Sequence, residues 1–252
     1  MRTRSIFLAG IFVWLISPGG SWSQESAVPI EFVEIRDVIP TIVLEPRYSI
    51  QHNFIGKRID GYHTDKVYLS RVATVELLEV QKELLELGLS LKIYDAYRPQ
   101  RAVNHFIEWA KDLEDTAVKT EFYPDVAKKD LFSEGYISER SSHTRGSTLD
   151  LTIVPYPAPP QEPWTKDRQR ACTLPADERS HDNSLDMGTG YDCFDMRSWT
   201  ADDRVGARQR AHRLLLKSLM EKHGFRNYAK EWWHFTLVNE PFPDTYFDFP
   251  IE

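Results

Sequence analysis

Apolar residues recur at roughly helical spacing between Ser70 and Leu87, at Val72, Val75, Leu78, Leu84 and Leu85. The run stops at Gly88, where a C-terminal glycine cap belongs. Ser90 to Tyr97 reads as a strand that Arg98-Pro99 ends, because the residue before a proline is held extended. Pro99 can then open a helix that runs to about Leu113. Upstream, the stretches from Ile30 to Ile35 and from Thr41 to Leu44 are strand-like, with Pro40 and Pro46 as breaks. Leu151 to Val154 and His234 to Val238 add strand character further along. Asp202 to His223 predicts a basic, amphipathic helix with Val205, His212, Leu215, Leu216 and Leu219 on or near one face and Gly224 after it. His105, His212 and His223 read as helix-face residues. Residues 155 to 200 are the least regular part, with prolines at 155, 157, 159, 160 and 163 followed by a charged segment. A loop of that length inside a compact domain is usually functional or mobile. From Pro241 the chain is rich in proline and phenylalanine and is expected to pack against the body.

The first residues change the picture of where the chain works. Met1-Arg2-Thr3-Arg4 precedes an apolar run from Ile6 to Ile16, and Ser21 and Ser23 are small residues suited to a cleavage site. The run is too short to span a membrane. Residues 1–23 therefore read as a cleaved secretory signal and 24–252 as one domain, an uncleaved N-terminal anchor being the other reading. Removing that segment takes away Arg2 and Arg4 and leaves 29 basic against 38 acidic residues, a formal charge of −9. An acidic chain without a basic run is poorly suited to nucleic acid or to anionic membranes. Cys172 and Cys193 are the only cysteines. An oxidising compartment would let them pair, and two free thiols is the alternative.

Chemistry concentrates in two distant stretches, Ser141-Ser142-His143-Thr144-Arg145-Gly146-Ser147-Thr148-Leu149-Asp150 and Glu231-Trp232-Trp233-His234. Three protein ligands with one position left open is how catalytic zinc is held, and His143, Asp150 and His234 make such a set. Glu231 is then a spare carboxylate able to take a proton from the attacking water. Seven residues apart, His143 and Asp150 cannot reach one ion along a regular helix or strand. A reversal at Gly146-Ser147 would bring them together, with Asp150 at the start of a strand and His143 on the loop before it. Glu231 and His234 would be neighbours on a helix and would face apart on a strand, so a bend at Trp232-Trp233 is expected. Each stretch also has a plainer reading: a serine-rich surface turn for the first, and core tryptophans flanked by incidental polar residues for the second.

The stretches SSHTRGSTLDLT, EWWHF, YDAYRPQRAV and the ending YFDFP together resemble the zinc D-alanyl-D-alanine dipeptidases, within the larger group of zinc D,D-peptidases. The resemblance runs from about Arg47 to the C-terminus. One departure is Thr148, where that family commonly has a small apolar residue. The resemblance implies an α+β single domain, a small and mainly antiparallel sheet packed with helices, with the zinc site at the sheet edge. It implies one zinc ion on His143, Asp150 and His234, Glu231 as general base and acid, and Arg98 as the stabiliser of the oxyanion. It further assigns Tyr48, Ser141, Ser142 and Asp192 to the substrate, Asp192 meeting the free ammonium of a dipeptide. Read without the family, Tyr48 is equally a half-buried core aromatic, Arg98 a salt-bridge partner of Asp95, and Asp192 a turn residue.

Two other functions use the same residues. A D,D-carboxypeptidase acting on peptidoglycan stem peptides would keep the metal site and open the amino-terminal side of the pocket. A non-catalytic zinc-containing binding module would need neither Glu231 nor Arg98. The expected partner is a small D,D-dipeptide, and the expected location is periplasmic or secreted.

Overall fold

The structure is a computed structural model that describes residues 27–252. The segment read as a secretory signal lies outside the described residues. Among these, seven strands and five helices form an α+β fold. Strands β1 (Phe32–Glu34) and β3 (Tyr68–Ser70) pair antiparallel as a small sheet. The main sheet has the order β2-β4-β5-β7-β6, from β2 (Val43–Leu44), β4 (Leu89–Asp95), β5 (Thr148–Pro155), β7 (His234–Leu237) and β6 (Phe225–Asn227). Only the β2–β4 pair is parallel. The helices are α1 (Ile35–Val38), α2 (Arg71–Glu86), α3 (Gln100–Lys111), α4 (Lys119–Phe122) and α5 (Ala207–Lys222). No helix among the described residues is long and apolar enough to cross a membrane.

Side chains alternate along a strand, and β5 uses the alternation to divide two tasks. Leu149, Leu151 and Ile153 are fully buried in a core shared with α2 and α5. The intervening Thr148, Asp150 and Thr152 belong to the other face and are buried as well. In β7 the same division sends Phe235 and Leu237 to the core and pairs His234 with Asp150 and Thr236 with Thr148. Thr148, the departure noted in the sequence, is satisfied across this pair, its hydroxyl 2.9 Å from that of Thr236. A second core, mostly aromatic, gathers Tyr48, Phe54, Phe106, Trp109, Phe194 and Phe249 beyond the polar face. The C-terminal segment joins it, with Phe249 and Ile251 buried.

Two expected helices differ in detail. Ser70 caps α2, its side chain accepting from the Ala73 amide, but the buried stripe is Ala73, Leu77, Val80 and Leu84. Val72 and Val75 are about half exposed. The stripe centred on Ala73 lies against the sheet because its polar members are satisfied there: Gln81 donates to Ser90 and accepts from the Leu91 amide. Helix α5 begins at Ala207 rather than Asp202, since the Asp202 carboxylate accepts from the Arg204 amide and holds a turn instead. Its buried residues include Arg213, whose guanidinium donates to the carbonyls of Met187, Trp199 and Arg197. Cys172 and Cys193 form a disulfide.

Candidate active site

A 3₁₀ turn over Ser142–Arg145 delivers His143 to the mouth of β5. The Ser141 hydroxyl accepts from the His143 amide at its start, and Gly146 closes it at φ 80°. Only glycine fits there, because a Cβ would meet the Phe32 ring at 2.2 Å. Asp150 and His234 come from directly paired positions of β5 and β7. A turn at Glu231–Trp233, with the His234 amide donating to the Glu231 carbonyl, swings Glu231 back beside His234. Its Oε2 lies 3.4 Å from His234 Nδ1. Both tryptophans between them are buried in the core, so core packing and the placing of the polar pair are one arrangement.

Three ligand atoms converge. His143 Nε2, Asp150 Oδ1 and His234 Nδ1 are separated by 3.2, 3.1 and 3.3 Å. Ligands bound tetrahedrally at 2.0–2.1 Å from an ion sit about 3.4 Å apart, so the triangle is close to the size such an ion requires. The tautomers suit it too. His143 Nδ1 donates to the Ala96 carbonyl at 2.8 Å, which leaves the lone pair on Nε2. His234 Nε2 faces the Ser142 hydroxyl at 3.3 Å; with Nε2–H donating to that hydroxyl, His234 would keep its lone pair on Nδ1. Asp150 Oδ1 is buried without a hydrogen-bond donor, an acceptor that a cation would satisfy. Its other oxygen accepts from the Tyr191 hydroxyl at 3.0 Å and lies 3.5 Å from Arg98. Burial alone would raise the Asp150 carboxyl, but the His143 and His234 imidazoles hold it well below the usual carboxylate range. Burial lowers His143 despite the Asp150 charge.

One cavity of about 350 Å³ is lined by Tyr48, Arg98, Ser141, Ser142, His143, Asp150, Asp192, Glu231 and His234, every residue singled out in the sequence. Arg98 follows β4 and precedes α3, its Nε and Nη2 each 2.8 Å from Asp95 Oδ2. It therefore both pairs with Asp95 and faces the cavity, with Nη1 3.5 Å from the Ser141 hydroxyl. The Tyr48 ring lies under the guanidinium carbon at 4.9 Å. Burial pushes the Glu231 carboxyl up to about 7, with His234 and Arg98 opposing the rise and Asp150 adding to it. Burial, reinforced by the Asp150 charge, raises Asp192 well above the carboxylate range. The Tyr48 hydroxyl donates to Asp192 Oδ2 at 2.9 Å, and no cationic side chain pairs with that carboxylate among the described residues.

Other contributors were missed by sequence reasoning or read only in part, Asp95 being expected only as a salt-bridge partner of Arg98. Buried Asp95 anchors Arg98, accepts from the Tyr62 hydroxyl at 2.7 Å and lies 3.5 Å from His143 Nδ1. Its place within YDAYRP was the available signal. Tyr191 ties Asp150 to the pocket wall, and its position beside Asp192 was the hint. Phe106 and Tyr228 line the cavity from segments that carry no motif of their own.

The family model for peptidase M15, described as D-Ala-D-Ala dipeptidase, matches residues 29–156 and 161–252. The match is interrupted only at 157–160, within the irregular segment. Among curated relatives, the D-alanyl-D-alanine dipeptidase of Streptomyces coelicolor is 35% identical over 221 residues, 88% of this chain and 98% of the relative. Those of Enterococcus faecium and Enterococcus faecalis are 34% and 32% identical over 227 and 220 residues, covering 99% and 98% of the relatives and 88% and 87% of this chain.

Proposed function

The chain belongs to the peptidase M15 D-Ala-D-Ala dipeptidase family, and we propose that it hydrolyses D-Ala-D-Ala to two D-alanines with one zinc ion on His143, Asp150 and His234. What carries the reading is one small cavity that joins the converging ligand triangle, a carboxylate beside it and an unpaired buried carboxylate, Asp192. Two imidazoles and one carboxylate suit zinc better than magnesium or calcium. Zinc bound there supplies a Lewis acid that polarises the scissile carbonyl and makes a water nucleophilic near neutral pH.

The protein's own groups do the rest. Glu231 takes a proton from the attacking water as its oxygen bonds to the carbonyl carbon. It returns that proton to the leaving nitrogen as the C–N bond breaks, giving one carboxylic acid and one amine. Arg98 donates to the negative charge that grows on the carbonyl oxygen, and Asp95 holds its fork in that orientation. Asp192, oriented by Tyr48, receives the substrate's ammonium, while Ser141 and Ser142 bind the peptide. We read the protein as exported: the N-terminal pattern suits a signal, and the Cys172–Cys193 disulfide suits an oxidising compartment.

Assaying zinc-loaded protein on D-Ala-D-Ala beside a cell-wall pentapeptide ending in D-Ala-D-Ala tests the reading. The dipeptide is expected to be cleaved about a hundredfold more efficiently, because only its ammonium offsets the burial that otherwise raises Asp192 out of its charged form. Equal cleavage would replace the dipeptidase with the carboxypeptidase.

A further inference from the structure

Asp192 is the one non-glycine residue with positive φ, at 53°, among the described residues. Its peptide N–H and C=O make no backbone hydrogen bond there, and its side chain has only the bond from Tyr48. Its place is therefore set by the residues on either side. On one side, Tyr191 stacks on Tyr94 at 4.3 Å and donates to Asp150. On the other, Cys193 is crosslinked to Cys172. Cys172 is itself held, its amide donating to the Glu121 carbonyl and its carbonyl accepting from Gly190. The Phe194 amide then donates to the Phe122 carbonyl. The crosslink thus closes a frame around Asp192 that runs through α4 and the irregular loop. Between Tyr156 and Asp186 that loop has a single short 3₁₀ turn over Lys166–Arg168 and no longer element to fix it.

We propose that the Cys172–Cys193 disulfide positions Asp192 for the substrate ammonium, so that it sets selectivity for free dipeptides as well as stabilising the chain. This rests on the dipeptidase reading above. The effect belongs mainly in KM and in selectivity, because Asp192 meets the ammonium and not the reacting carbonyl, while Glu231 and Arg98 sit on other segments. Misplacing a binding group by about 1 Å can cost up to a hundredfold, so an effect of about tenfold is expected from a loosened but folded frame.

The test compares wild type with Cys172→Ser/Cys193→Ser on D-Ala-D-Ala and on N-acetyl-D-Ala-D-Ala, with zinc content and circular dichroism measured alongside. If the serine pair does not fold, Cys172→Ala/Cys193→Val, which keeps the site apolar, takes its place. KM for the free dipeptide is expected to rise about tenfold with kcat within a few-fold, the preference over the blocked dipeptide to shrink by a similar factor, and zinc content to stay the same. Repeating the exchange in an Asp192→Asn background isolates the route. There, losing the disulfide is expected to leave selectivity unchanged. A crosslink-free variant that melts earlier but keeps wild-type KM and selectivity would overturn the proposal, as would an equal loss of selectivity in the Asp192→Asn background. Wild type that already cleaves both substrates equally would overturn the dipeptidase reading itself, and the proposal with it.

Discussion

Glu231 and His234 illustrate how much rests on a single bend. Three residues apart, they meet only because the chain turns at two core tryptophans, and a carboxylate 3.4 Å from a candidate ligand nitrogen results. His234→Ala is expected to lose bound zinc, read by elemental analysis, since two remaining ligands hold the ion poorly. A different residue, His52, bears on stability in acid. It is buried between Arg47 and Glu121, and burial together with the Arg47 charge lowers it to about 4. Unfolded, it titrates near pH 6.5, so the unfolded chain binds the extra proton between those values. The neutral imidazole's contribution is fully present above about pH 6.5 and is lost as pH falls toward 4, a loss on the order of 3 kcal/mol. Urea unfolding of His52→Gln at a series of pH values is expected to show a shallower decline across that window. An unchanged slope would assign the acid sensitivity to other groups. The candidate ligand residues were legible because they stand in compact motifs. Tyr191 was not, and of Asp95 only its pairing with Arg98 was, because the remaining contacts arise only when β4, β5 and the Asp192 segment come together.

The turn from His143 to Asp150 was readable from Gly146, a residue whose conformational freedom the chain needs at that point. Its φ of 80° and the Phe32 ring behind it make Gly146→Ala costly on two counts. A loss of about 1–3 kcal/mol in urea unfolding is expected, together with weaker zinc retention, because the same turn carries His143. Wild-type stability and zinc content would show that the turn tolerates a side chain. Helix α2 teaches the opposite lesson. Counting apolar residues pointed to Val72 and Val75, yet the buried stripe contains Thr74 and Gln81, and the sheet satisfies the Gln81 amide. Arg213 hid the inward face of α5 for the same reason, its charge spent on three carbonyls. A hydropathy pattern cannot register a polar side chain that finds its partners only in the folded chain.

Taken whole, the molecule encloses its polar site between two cores. The mainly aliphatic core under the sheet fixes β5 and β7, and the aromatic core beyond them supports the pocket wall at Tyr48 and Phe106. Whereas β3 and β6 carried no signal that was read, the α+β class and most strand positions followed from chain pattern and resemblance. The sheet order did not, since pairing β5 between β4 and β7 depends on segments far apart in sequence. Zinc binding only to the folded state should stabilise it, by about 2.7 kcal/mol at a hundredfold excess over Kd. Chelation is therefore expected to lower the melting temperature and re-addition of zinc to restore it. The most direct test is D-alanine release from D-Ala-D-Ala by wild type and Glu231→Gln at equal, one-per-chain zinc content. Wild type is expected to release two D-alanines per dipeptide, and Glu231→Gln to be slower by about 10²–10⁴-fold with its zinc retained. Turnover by Glu231→Gln within a few-fold of wild type, or no D-alanine from the zinc-loaded wild type, would contradict the mechanism.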